Sequence, residues 1–168
     1  MTRPSLIFFG PEGPQQGRSG LKKVFIRTLL FGTSDRGQHI QNMFVHLKCG
    51  ETVQHFNVWA YNDKELVFGS GLFVNKEGIS TYHRFLLSED ASTYDFLPGS
   101  YILKVFVETM NKTPFKIFEQ ALEITDSQYE EMTDKEDGIF YNYVPQLKRY
   151  HAHLDGVRKK DRPQQFTF

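Results

Sequence analysis

Six histidines and one cysteine have the widest chemical reach in this 168-residue chain. His151 and His153 stand two apart in a segment that reads as a strand, so both side chains fall on one face. Two imidazoles placed this way can be offered to a divalent metal. His83 or His55, also in strand segments, would then supply the third of the three or four ligands such a site holds at about 2.0–2.2 Å. The reading favoured here is a solvated strand face with no metal or other cofactor, and the alternative is a metal-dependent or carbohydrate-processing jelly roll that uses His83, His151 and His153. Cys49 and His46 lie three apart at a strand end, where alternation puts them on opposite faces. With Glu51 close by, the thiol lacks the electropositive setting an activated cysteine needs.

Other sequence features point away from catalysis. Gly69-Ser70-Gly71 is too short for a nucleophile elbow and reads as a bulge or bend. The acidic run Glu130 to Asp137 ends in Asp137-Gly138, but an oxygen-ligand loop would also use Thr133 and Lys135, and the lysine spoils it. Glu89, Asp90 and Asp95 share a loop region, yet nearness in sequence does not set the carboxylate separation that glycoside chemistry requires. There is no Gly-x-x-x-x-Gly-Lys and no dinucleotide fingerprint. The chain therefore reads as non-enzymatic.

The aromatic residues are more suggestive. They make up 15% of the chain, with 16 Phe, 8 Tyr and 1 Trp. By alternation, Tyr82 sits with Ser80 and Arg84, and Phe106 with Lys104 and Glu108, on nominally outward strand faces. Tyr141 and Tyr143 share one face of a C-terminal hairpin, with Tyr150 nearby. Rings on outward faces need cover, because large exposed apolar patches mark interfaces. The cover would be the C-terminal extension folded over a sheet, another protein chain or a ligand. Tyr82, Phe106, Tyr141, Tyr143 and Tyr150 are thus the expected binding residues. A protein partner or homodimer is the expected ligand, with a carbohydrate as the alternative, since tyrosine offers an apolar ring and a hydroxyl.

These residues are carried by segments that alternate at period two. Tyr101, Leu103, Val105, Val107 and Thr109 form one side of a strand. His39 to Lys48 and Val53 to Tyr61 split in the same way. Leu6 to Phe9, Leu21 to Phe31, Leu66 to Phe68, Leu72 to Val74, Ile79 to Leu87 and Phe115 to Ile124 continue the pattern. Turn residues separate them at Cys49-Gly50, Asn62-Asp63, Asn75 to Gly78, Pro98-Gly99 and Asn111 to Pro114. The sequence predicts an all-β antiparallel sandwich in a single domain over residues 1–155. Pro11 to Gly20 reads as a mobile loop. Residues 126–138 read as one or two helical turns opened by a Ser127–Glu130 capping box, followed by an acidic loop. Ile139 to Val144 and Arg149 to Leu154 read as an added hairpin, and 156–168 as a polar tail with a basic knot at Arg158, Lys159, Lys160 and Arg162.

The stretch Phe96-Leu-Pro-Gly-Ser-Tyr101-Ile-Leu-Lys-Val105 resembles the loop-into-strand passage of immunoglobulin-like and fibronectin type III-like sandwiches. That resemblance implies a corner tyrosine at Tyr101 whose hydroxyl bonds back to the loop, and a core role for Trp59. It carries no function with it. No cysteine pair is available to bridge the sheets, which excludes an antibody-type domain.

Composition narrows the partners. Twenty Lys+Arg balance 20 Asp+Glu, so no overall field favours nucleic acid or an anionic membrane. The single Cys49 rules out an intrachain disulfide framework. The absence of a long apolar run, and of a signal-peptide pattern over Met1 to Phe9, leads to the expectation of a cytoplasmic protein.

Overall fold

The computed structural model describes residues 1–12, 21–62, 67–68, 71–87, 93–110 and 112–154. In chain order these form β1 (Leu6–Pro11), β2 (Lys22–Leu30), β3 (Gln38–Cys49), β4 (Thr52–Phe56), β5 (Val58–Tyr61), β6 (Val67–Phe68), β7 (Leu72–Val74), β8 (Ile79–Leu86), β9 (Gly99–Thr109), β10 (Phe115–Ile124), α1 (Asp126–Lys135), β11 (Ile139–Val144) and β12 (Arg149–Leu154). The strands make two antiparallel sheets packed face to face, so the predicted all-β sandwich with one helix is observed. One sheet has the order β12-β11-β1-β2-β8-β5-β6. The other has the order β10-β9-β3-β4, and β7 lies beside the first residues of β3.

The core follows from alternation. Ile7 and Phe9 of β1, Val24 and Ile26 of β2, and Phe85 of β8 point inward from the larger sheet. Met43, Val45 and Leu47 of β3 and Leu103, Val105 and Val107 of β9 meet them from the smaller one. Large rings fill the centre. Phe9 and Phe96 stack at 5.2 Å between centroids, Phe96 and Phe56 at 6.0 Å, and Tyr101 meets Phe9 edge-on. Each such side chain contributes about 1.5–3 kcal/mol by leaving water. The Tyr101 hydroxyl donates to the Leu97 carbonyl at 2.5 Å, tying the loop before β9 to its first turn as expected.

Four details depart from the sequence reading. Val53 to Tyr61 is not one strand. The chain leaves the smaller sheet after Phe56 and enters the larger one at Val58. Phe56 and Trp59 are both buried although they are three apart, because the inward parity reverses when the chain crosses from one sheet to its opposite. The helix is capped two residues earlier than predicted: the Thr125 side chain accepts from the Gln128 amide, and the Gln128 side chain accepts from the Thr125 amide. Ile124 is the last buried residue of β10, so the turn must begin at once, and α1 runs for ten residues.

The C-terminal hairpin does not fold over a sheet. It extends the larger one edgewise, β11 pairing with β1 from Leu6↔Asn142 to Phe9↔Ile139. Gly138 permits this approach, since a Cβ there would come within 2.3 Å of the Phe9 carbonyl oxygen. Finally, Pro11 and Glu12, placed in the predicted loop, belong to the sheet: Pro11 pairs with Lys22, and the Glu12 amide donates to the Leu21 carbonyl at 2.7 Å. The rest of that predicted loop, the predicted tail with its basic knot, Gly69-Ser70, and Glu89 and Asp90 lie outside the described residues.

Candidate functional site

The histidine alternative meets the fold first. His83 on β8 faces the interior and is 1% exposed. Its Nδ1 accepts from Trp59 Nε1 at 3.1 Å, which leaves its proton on Nε2, buried and without a partner among the described residues. Burial pushes its pKa down to about 4. His151 and His153 lie on the edge strand β12, opposite Asn142 and Phe140, on the outward face. Their rings stand 6.4 Å apart, and His153 stacks on Phe140. Three strands, β11, β1 and β2, separate the two settings, and the faces are opposite. The three residues are not brought together. Among the described residues no group of three or more His, Cys, Asp or Glu surrounds a common point.

The aromatic candidates divide by face. Tyr82 is half-buried on the outer face of the larger sheet, stacked on Phe25 at 5.3 Å, with the Arg27 guanidinium 5.6 Å from its ring centre. Phe106 is half-buried on the outer face of the smaller sheet. It stacks on Phe44 at 5.2 Å and touches His46 at 4.7 Å. No shared surface joins Tyr82 to Phe106, because they lie on opposite outer faces of the sandwich.

The three hairpin tyrosines share a face, as the sequence indicates, but it is the inward one. Tyr141 is 2% exposed, and its hydroxyl donates to the Glu123 carbonyl at 2.9 Å. It is a core residue rather than a surface ring. Tyr150 is half-buried and donates to the Pro4 carbonyl at 2.7 Å. Tyr143 meets Tyr150 edge-on at 5.3 Å, and Arg3 covers its ring at 4.6 Å while bonding to its hydroxyl. Burial pushes the hydroxyl pKa values of Tyr141 and Tyr150 up, so both hydroxyls are neutral donors at ordinary pH.

Tyr141 and Tyr150 nevertheless mark a place. Between β12, the edge of the larger sheet, and β10, the edge of the smaller one, the sandwich stays open as a groove of about 430 Å³. Rings of these two tyrosines line it together with Arg149, Gln120, Glu123 and Gln128. The N-terminal turn of α1 closes one end, since Thr125 and Gln128 belong to the lining.

The two edges beside this groove differ. The β10 edge carries Lys116, Glu119 and Glu123 and is broken by a bulge between Lys116 and Phe118. Charges and bulges are the usual means of blunting a free edge. The β12 edge, Arg149-Tyr150-His151-Ala152-His153-Leu154, carries one charge, Arg149 at its start, has no proline, lysine or bulge, and runs in unbroken register with β11, with α1 near part of it.

Sequence reasoning also missed two arrangements. The first is an ion cluster on the outer face of the larger sheet. The Glu12 carboxylate, in a residue only 4% exposed, takes Lys23 Nζ at 3.2 Å and Arg84 at 3.3 Å. Burial pulls the Lys23 ammonium pKa down and the Glu12 charge opposes that shift. The second is the pair His46 and His55, directly opposite each other across β3 and β4, with ring centres 4.2 Å apart. Here the sequence held a signal. Gly50 and Glu51 make a two-residue turn, with Gly50 at a φ of +58°, and residues equidistant from such a turn must face each other.

No known protein family, curated protein or solved structure matches this chain.

Proposed function

We propose that this protein is a non-enzymatic binding module that recognises protein by strand addition at β12, a second copy of the chain being the simplest partner. The observation that carries this reading is the regular β12 edge, free of bulges and charged only at Arg149, beside a groove that can receive side chains from an added strand. An incoming strand takes its affinity from main-chain hydrogen bonds and its specificity from alternate side chains entering pockets. Tyr150, anchored to Pro4, and Tyr143, covered by Arg3, then stiffen the edge rather than contact the partner directly.

An immunoglobulin-like core belongs to the same reading. What supports it is that the orders β1-β2-β8-β5 and β10-β9-β3-β4 run like the A-B-E-D and G-F-C-C′ orders of that fold, and that the Tyr101 hydroxyl bonds back to the loop before its strand. Trp59 departs from that pattern, since it sits on the strand equivalent to D. No helix among the described residues is long and apolar enough to cross a membrane. The single thiol of Cys49 fits a reducing compartment such as the cytoplasm.

The test is native mass spectrometry and light scattering on the untagged chain across a dilution series, beside the variant His151→Lys/His153→Lys. The expected result is a dimer for the parent chain and a monomer for the variant, with thermal midpoints that converge at dilutions where both are monomeric. A parent chain that stays monomeric at the highest concentration ends the self-pairing reading.

A second reading has its own observation. The groove volume falls in the usual range for small ligands, and its tyrosines, amides and Arg149 suit a carbohydrate. Oligosaccharides that shift the amide resonances of Gln120 and Gln128 would favour it. Trp59, buried at the far side of the larger sheet, would not report such binding.

A further inference from the structure

We propose that His46 and His55 form a binding site for one late first-row divalent metal ion, held most tightly as copper(II), on the outer face of the smaller sheet. This inference is independent of the β12 edge, since β3 and β4 lie on the far side of β9 and β10 from the groove.

The two imidazoles are preorganised by the backbone. The Gly50-Glu51 turn fixes the register so that Cys49 faces Thr52 and His46 faces His55, and β9 holds the other side of β3 with His46 opposite Lys104. The His46 ring is wedged by Phe44 at 5.3 Å and Phe106 at 4.7 Å, which sets its plane. The His55 ring approaches at 4.2 Å and 77°, edge to face. Histidine χ2 is a soft torsion, and His55 is exposed. It can therefore turn a nitrogen toward an ion already held by His46 at the 2.0–2.1 Å typical of metal–imidazole bonds.

Charge and donor type select the ion. By register, Lys104 of β9 stands opposite His46, and Lys48 lies two residues along β3 on the same face. Lys104 is drawn toward Glu119 of β10 at 3.8 Å, which offsets part of its repulsion of a cation. Among the described residues no carboxylate joins the pair to form a group of three ligands, so calcium and magnesium have no anchor there. Imidazole donors suit copper, nickel and zinc, and the order of affinity favours copper(II), whose remaining tetragonal positions water can fill. A bound ion would tie β4, the last strand before the chain crosses between sheets, to the centre of its own sheet.

The experiment uses the untagged, chelator-stripped full chain titrated with copper(II) chloride, read by calorimetry and by electron paramagnetic resonance. The expected result is one ion per chain bound through two nitrogens. His46→Gln and His55→Gln should each weaken binding at least tenfold, and His151→Gln/His153→Gln should leave it unchanged. Circular dichroism of the metal-free variants checks that they fold. Should either single variant misfold, nickel(II) added to the parent chain must broaden the His46 and His55 ring resonances first. A dissociation constant weaker than about 100 µM overturns the proposal. So does binding unaffected by His55→Gln, or lost only in the His151/His153 variant.

Discussion

The two outer faces of the sandwich obey the same alternation but differ in how deeply their residues are covered. On the larger sheet, Glu12, Ala60 and Leu86 are all buried, Ala60 completely, although none of them belongs to the central core. Phe8 lies on that face too, against Phe140 at 4.6 Å. On the smaller sheet, Phe44, His46 and Phe106 stay half-exposed, and His55 is open. Period-two patterning states which way a side chain points. It does not state whether that side is wet. The difference has an energetic consequence: a charge on the first face is held by partners that cannot be removed cheaply, whereas rings on the second can change with little cost to the fold.

Glu12→Ala should make the contrast plainest. It leaves Lys23 and Arg84 as uncompensated, largely buried cations, a defect worth about 3–5 kcal/mol. Urea unfolding of variant and parent would read the loss directly. A loss below about 1 kcal/mol, the range of an exposed pair, would erase the distinction between the faces.

Acid tests the interior that separates them. His83 is neutral in the fold, with a pKa of about 4 against 6.5 for the free side chain. Between those values the unfolded chain binds the extra proton, so stability is full above about pH 6.5 and falls as pH drops toward 4. The expected loss is about 3 kcal/mol by the lower bound of that window. Urea midpoints followed by Trp59 fluorescence at pH 7.5, 6.5, 5.5 and 4.5 (about one pH unit per step across the window) would show it. A flat profile would mean that His83 gains a counter-charge or water on protonation.

The smallest effect belongs to the open face. Phe106→Ser should change stability by less than about 1 kcal/mol, because its ring touches only half-exposed neighbours. A loss approaching that of Glu12→Ala would place Phe106 in a covered surface and make the two faces alike.

Much of the framework was legible because it depends on local pattern. β2, β3, β8, β9 and β10 follow from apolar alternation between turn residues, and the Tyr101 corner follows from the Pro-Gly turn before a strand. The failures occur where a residue's state depends on a distant chain segment. Tyr141 looks like a surface ring until β11 pairs with β1, which turns its face inward. Asn57 gives no warning that the chain changes sheets there, since either parity of Val53 to Tyr61 offers apolar residues. Glu12 sits among glycines and prolines, and only the pairing of β1 with β2 and of β2 with β8 brings Lys23 and Arg84 beside it. The His46–His55 pair is the converse case, a local contact that counting outward from Gly50 would have found.

The pairing of β1 with β11 also orders events during synthesis. Leu6 meets Asn142 across 136 residues of chain, whereas β2 follows β1 closely. As the chain emerges from the ribosome, β1 can acquire β2 on one side long before its other side has a partner. Until the last hairpin is made, β1 presents Leu6, Ile7, Phe8 and Phe9 along an open edge, the kind of edge on which aggregation begins. The C-terminal hairpin therefore serves as a late seal, and nascent chains stalled before Ile139 would be the form most in need of a chaperone.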